Sequence, residues 1–233
     1  MELKQIFVGK PRVVGKKDAA QPMEREWESA IFKEAVEGAV WVGKTNLQGD
    51  EQADLKHHGG PEKAIFVYPS EHYDYWEKEF KESGIAPGGM GENFSIDGMN
   101  EGEVAIGDVY RIGDAVVQVS QPRQPCWKPA RRYRIKSLAL LIQNTGRTGW
   151  YFRVLQEGKV EGGQSFELLE RPFPQWTITR CNDIMHVEKD NLQAAQALAD
   201  CELLAVNWQT TLQTRVEKGE NPNLHRRVIG PNE

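Results

Sequence analysis

Short β-prone runs broken at Gly-Asp pairs constrain this chain more than any other feature. Val104–Ile106, Val109–Ile112 and Val116–Val119 are separated by Gly107-Asp108 and Gly113-Asp114, residue types that supply tight turns between strands. The pattern predicts a meander of short antiparallel strands. Trp150–Leu155 reads as a further strand, which Glu157-Gly158 turns towards a partner near Gln164–Leu169. Many short strands with few helices predict a mainly β fold, a closed or nearly closed β-barrel, because closure removes exposed strand edges. Between the strands, Ser70 is placed to cap a helix over Glu71–Glu82 that buries Tyr73, Trp76 and Phe80 and stops at Gly84. Glu24–Gly38 contains helix formers, yet Trp27, Ile31 and Phe32 make no stripe, and the segment takes no assignment.

After Pro172-Phe173-Pro174 the chain turns rich in alanine and leucine. This divides it into a barrel domain over 1–171 and a small three-helix domain over 176–233. The helices are expected after Thr179, from Asp190 through Leu192, Ala195 and Leu198, and over Leu203–Glu217. So short a bundle buries little surface alone, which predicts docking on the barrel or on a second copy in a homodimer. No apolar run approaches the roughly 18 residues of a membrane span, and no secretory segment follows Met1, so a cytoplasmic location with no membrane partner is expected. The 3 cysteines form an odd set without C-x-x-C spacing, as expected of reduced thiols. A net charge of −5 argues against a nucleic-acid polymer as partner.

Three segments carry candidate chemistry. In Gln121-Pro122-Arg123-Gln124-Pro125-Cys126-Trp127-Lys128-Pro129 the prolines predict a stiff loop, excluded from helix interior and central strand, with Cys126 near the barrel mouth. Arg123, Lys128, Arg131, Arg132 and Arg134 favour its thiolate; a thiol packed as a small hydrophobe fits the same residues. His57-His58-Gly59-Gly60-Pro61-Glu62-Lys63 offers backbone amides, imidazoles and an ammonium to an anion, or forms an ordinary surface turn. Gly88-Gly89-Met90-Gly91-Glu92-Asn93-Phe94 is a glycine loop delivering a carboxylate and an amide, or a tight turn. It lacks the Lys-Ser/Thr of a phosphate loop.

Taken in order, these segments and Gly149-Trp150-Tyr151-Phe152-Arg153-Val154 resemble the MOSC (molybdenum cofactor sulfurase C-terminal) domain family. The tail from about Trp176 resembles the three-helix extension of its YiiM-like branch. One departure is Ala35, where YiiM-like chains often have proline. The resemblance implies a β-barrel that binds a pterin dithiolene molybdenum cofactor, with the thiolate of Cys126 on the metal. His57, His58, Gly59, Gly60, Lys63, Glu92, Asn93, Arg123, Gln124 and Arg153 are then the cofactor-binding candidates. Trp127, Trp150 or Tyr151 would supply a surface for a planar substrate. The implied activity is reduction of N-hydroxylated compounds such as 6-N-hydroxylaminopurine, with electrons from a separate flavin reductase. A non-catalytic cofactor or sulfur carrier using Cys126 is the alternative.

Overall fold

The computed structural model describes residues 1–55 and 58–233. Along the chain run β1 (Glu2–Val8), β2 (Arg12–Val14), β3 (Trp27–Ser29), β4 (Glu34–Val36), β5 (Val40–Val42) and β6 (Ile65–Pro69). Helix α1 (His72–Glu79) leads to β7 (Phe94–Asp97), β8 (Val109–Ile112) and β9 (Ala115–Pro122), then to helices α2 (Trp127–Tyr133) and α3 (Leu138–Asn144). The last strands are β10 (Trp150–Gln156), β11 (Gly158–Val160) and β12 (Glu167–Glu170); helices α4 (Ile178–Asn182), α5 (Leu192–Ala199), α6 (Val206–Lys218) and α7 (Leu224–Val228) close the chain.

The main sheet has the order β12-β8-β9-β10-β6-β7-β1-β4. It curls until its ends meet: Leu3 N donates to Gln164 O at 2.9 Å, Gly163 N to Leu3 O at 2.7 Å, and Glu2 bridges Ser165 just ahead of β12. These bonds occupy backbone groups that an open edge would expose. The barrel is thus nearly closed, as expected.

Alternation along the strands separates two cores. Ile65 and Val67 of β6, and Trp150 and Phe152 of β10, point into the barrel with Leu3, Ile6, Phe94 and Val119. Phe66 and Tyr68 point out, into a second cluster with Tyr73 and Trp76 of α1 and with Ala130, Leu138 and Ile142 of α2 and α3. The helical tail adds Ile178, Ile184, Leu198 and Trp208 to the barrel core. It docks there through backbone bonds, with Ile106 N donating to Trp176 O and Ala205 N to Ser120 O, both at 2.9 Å.

Several local expectations are corrected. Val104–Ile106 is not a strand, because its backbone serves the tail: Ile178 N donates to Val104 O at 2.9 Å and Ala105 bridges Thr177. Trp150–Leu155 pairs with β9 and β6 rather than with residues 164–169, which follow β11 to β8 and β1. Helix α1 begins at His72 without a side-chain cap from Ser70 and ends at Glu79. Glu24–Gly38 supplies β3 and β4. The proline-rich loop is shorter than predicted: Pro122 pairs with Trp150 at the end of β9, and Pro129 sits in the first turn of α2, where no helical partner is lost. Helix α7 was not anticipated.

Candidate functional site

Cys126 is the residue before α2, in extended conformation (φ −119°, ψ 172°). It lines two adjoining cavities, a smaller one of about 90 Å³, termed inner, and a larger one of about 620 Å³, termed outer, which also share His58, Lys63, Lys128 and Tyr151. The pocket lies against the outward face of β6 and β10, the face that carries Phe66 and Tyr151, and not in the barrel mouth. Cys181 and Cys201 are buried in the barrel core. Cys126 is therefore the thiol of the pocket among the described residues, where no group of three His, Cys, Asp or Glu is arranged to hold a metal.

The floor of the inner cavity is set by backbone. Arg123 N donates to Gly149 O at 3.0 Å, and Gly149 has φ +67° with Val67 O only 2.2 Å from where a Cβ would sit, so only glycine fits. This places the Arg123 guanidinium 4.8 Å from the centroid of the Phe66 ring. Nη2 reaches Met90 O at 3.5 Å, while Nη1 is buried without a partner. A buried guanidinium N–H with no acceptor is costly, and the cavity beside it is where an anion would satisfy it.

On the other wall Asp50 is buried and fully engaged. It pairs with Lys33 and accepts from Gly9 N at 2.8 Å and from Asn93 Nδ2 at 2.9 Å. Asn93 uses its other end to accept from Phe66 N at 3.0 Å. Burial drives the Lys33 ammonium below its ordinary range and the Asp50 charge opposes this. Asn93 thus lines the pocket but ties β7 to β6, and its amide is spent on structure.

Electrostatics leave the pocket cationic. Burial, reinforced by Lys128, Lys63 and Arg123, pushes the His58 imidazole down to about 3, so it is neutral at pH 7. Burial also lowers Lys63, with Asp54 acting in the opposite sense. Tyr151 is pushed up to about 12 by burial, which Arg123 opposes and Cys126 reinforces, so its phenol stays protonated.

The predicted residues separate clearly. His58, Gly59, Lys63, Asn93, Arg123 and Cys126 line the inner cavity, and Gln124 lines the outer. His57 lies outside the described residues. Gly60 instead shapes the turn over Pro61–Lys63, accepting from Lys63 N at 3.0 Å. Glu92 is buried behind the glycine loop, accepting from Gly88 N at 2.6 Å, Met90 N at 3.1 Å and the Tyr73 hydroxyl. It holds the loop that presents Met90 and Gly91. Arg153 points away, pairing with Glu62 at 2.6 Å and donating to Leu203 O at 2.9 Å, and so clamps the tail. Trp150 is fully buried in the barrel core and offers no face to a ligand, whereas Trp127 and Tyr151 do line the outer cavity.

Comparison with known proteins identifies the family. The MOSC domain matches residues 54–167, and the YiiM-like 3-alpha helix domain matches residues 176–219. Protein YiiM of Escherichia coli (strain K12) is 40% identical over 205 residues, spanning 87% of this chain and 91% of that protein. The chain belongs to the MOSC domain family, on its YiiM-like branch. The crystal structure of YiiM from Geobacillus stearothermophilus superposes on this MOSC protein with a TM-score of 0.76 at 37% identity, covering 92% of this chain and 98% of that one. A protein of Gibberella moniliformis named a reductase is 36% identical over 179 residues, which span 76% of this MOSC protein and 31% of the fungal one.

Sequence reasoning missed Asp50 and the wall built by the end of the chain. Asn223, Arg226 and Arg227 line the outer cavity. The signal was present in Asn223-Leu224-His225-Arg226-Arg227, where Asn223 caps α7 by accepting from Arg226 N at 3.0 Å.

Proposed function

We propose that this protein is a cytoplasmic oxidoreductase that holds the molybdenum cofactor through Cys126 and reduces N-hydroxylated compounds, such as 6-N-hydroxylaminopurine, to the amine. Electrons come from a separate flavin reductase. The observation that carries the reading is a half-buried thiol set among cations beside the unpartnered Nη1 of Arg123. A soft thiolate suits molybdenum, and the cationic floor suits the phosphate of a pterin. Family membership and the fungal relative named a reductase support the class of activity.

The donor set fits the group. Cys126 would ligate the metal, and Arg123 with Lys63 and Lys128 would hold the pterin phosphate. When bound, the cofactor supplies the two-electron reduction that turns an N–OH group into an amine and water. His58, neutral at working pH, offers one donor and one acceptor without adding charge. The Tyr151 phenol, also protonated, is a donor on the substrate side.

The test is metal and pterin analysis of protein made in a cofactor-competent host, followed by reduction of 6-N-hydroxylaminopurine with a flavin reductase. Stoichiometric molybdenum with turnover supports the proposal. Cofactor bound without turnover assigns the protein as a carrier instead.

A further inference from the structure

The outer cavity is more than a vestibule. Its volume of about 620 Å³ falls in the range that encloses a drug-sized ligand, and its walls are chemically sorted. Cys126 is common to both cavities. Trp127 and Tyr151 supply aromatic surface, and Gln121, Gln124 and Asn223 supply amide donors and acceptors. Arg226 is exposed and lines this cavity but not the inner one. Its guanidinium has no ion pair among the described residues, whereas neighbouring Arg227 is engaged by Pro125 O and Gln143 Oε1. Asp54, the carboxylate on this wall, lines both cavities and acts on Lys63.

Resting on the proposed reduction of N-hydroxylated bases, we infer that the outer cavity is a subsite for a substrate carrying an anionic group, namely an N-hydroxylated nucleoside monophosphate. The reactive edge of the base faces Cys126, the ring lies among Trp127, Tyr151 and the side-chain amides, and Arg226 takes the phosphate. Aromatic faces tolerate any planar base, amides read its edge, and a guanidinium matches phosphate oxygens in a two-pronged contact. Arg123, proposed to meet the cofactor, lines only the inner cavity, and Arg226 lines only the outer one. An anion station at Arg226 therefore selects the charged form of the substrate over the free base.

The experiment is calorimetric titration of the cofactor-loaded full-length protein with adenosine 5′-monophosphate, adenosine and inorganic phosphate, in the wild type and in Arg226→Ala and Arg226→Lys. The expected result is that the monophosphate binds at least about tenfold more tightly than adenosine. This preference collapses in Arg226→Ala, is partly restored in Arg226→Lys, and in the wild type is eroded by inorganic phosphate. A preference that is absent in the wild type, or unchanged in Arg226→Ala, overturns the subsite. With reducible substrates, the ratio of kcat/KM for N-hydroxylated nucleotide to free base should fall in the same variant. A protein that binds the monophosphate through Arg226 but reduces no N-hydroxylated compound keeps the subsite and overturns the proposed activity.

Discussion

The guanidinium of Arg227 donates to the carbonyl of Pro125, so a residue near the C-terminus fixes the backbone immediately before Cys126. The same segment adds a bond from Asn232 Nδ2 to Trp127 O at 3.2 Å and accepts one at Pro231 O from Arg131 at 3.2 Å. Gly230, at φ +54°, lies so close to the Trp127 ring that a Cβ would come within 2.4 Å of it. The cysteine loop is strapped on the side away from the barrel.

Arg227→Ala should loosen this strap. It leaves Pro125 O and Gln143 Oε1 short of a donor, a loss of about 1–3 kcal/mol, or a few degrees in Tm for a chain of this length. Thiol-reactivity kinetics should show Cys126 modified several-fold faster. Arg227→Lys should recover little, because an ammonium lacks the planar fork that spans both acceptors. An unchanged rate would mean that the loop is held by its prolines alone.

The 3 cysteines should separate in a thiol titration of the cofactor-free protein. Burial raises the Cys181 thiol well above its ordinary value and raises Cys201 as well. Cys126 alone lines a cavity. One equivalent should react in the native state and the remainder only in denaturant. Fast reaction of a second native thiol would contradict the packing of the tail.

Cys126→Ser should lower molybdenum content to about a tenth or less, because a hard hydroxyl replaces a soft thiolate. The fold should be unaffected, with a change within about 0.5 kcal/mol as for a substitution outside the core. Elemental analysis together with a thermal melt checks both. Full molybdenum in the variant would remove Cys126 from the metal.

Acid should destabilise the fold through His186. Its imidazole is pushed down to about 3 by burial, with Arg227, Lys189 and Arg215 adding to the effect, and Nε2 is buried without a partner. Between about pH 6.5 and 3 the unfolded chain binds the proton that the folded chain refuses. Stability is thus complete above 6.5 and falls by up to about 1.4 kcal/mol per pH unit below it. Urea midpoints at pH 7 and pH 5 should reveal the loss, and His186→Phe should shrink the difference.

The sequence disclosed what depends on local chemistry. The β8–β9 hairpin follows from Gly113-Asp114, and α5 and α6 follow from their apolar spacing. Cys126, Arg123, His58 and Lys63 stood out because prolines, glycines and charge were concentrated around them. Long-range placement was not legible. The parallel pairing of β6 with β7 leaves no local trace, and Val104–Ile106 read as a strand because its bonding partners are tail backbone, which has no sequence signature. Glu92 and Arg153 look like site residues in the linear motif, yet one folds back onto its own loop and the other reaches Leu203. Arg227 lies 102 positions from the carbonyl it holds, beyond the reach of any spacing rule.

The tail places Ile178, Leu198 and Trp208 in the same core as Leu3, Phe94 and Trp150. The consequence concerns inheritance. Two segments that read as separable modules share one hydrophobic core, so neither should be exchangeable between relatives without resurfacing the other. A chimera that grafts a foreign helical tail onto this barrel would need matched changes on both sides of that contact before Cys126 found its place again.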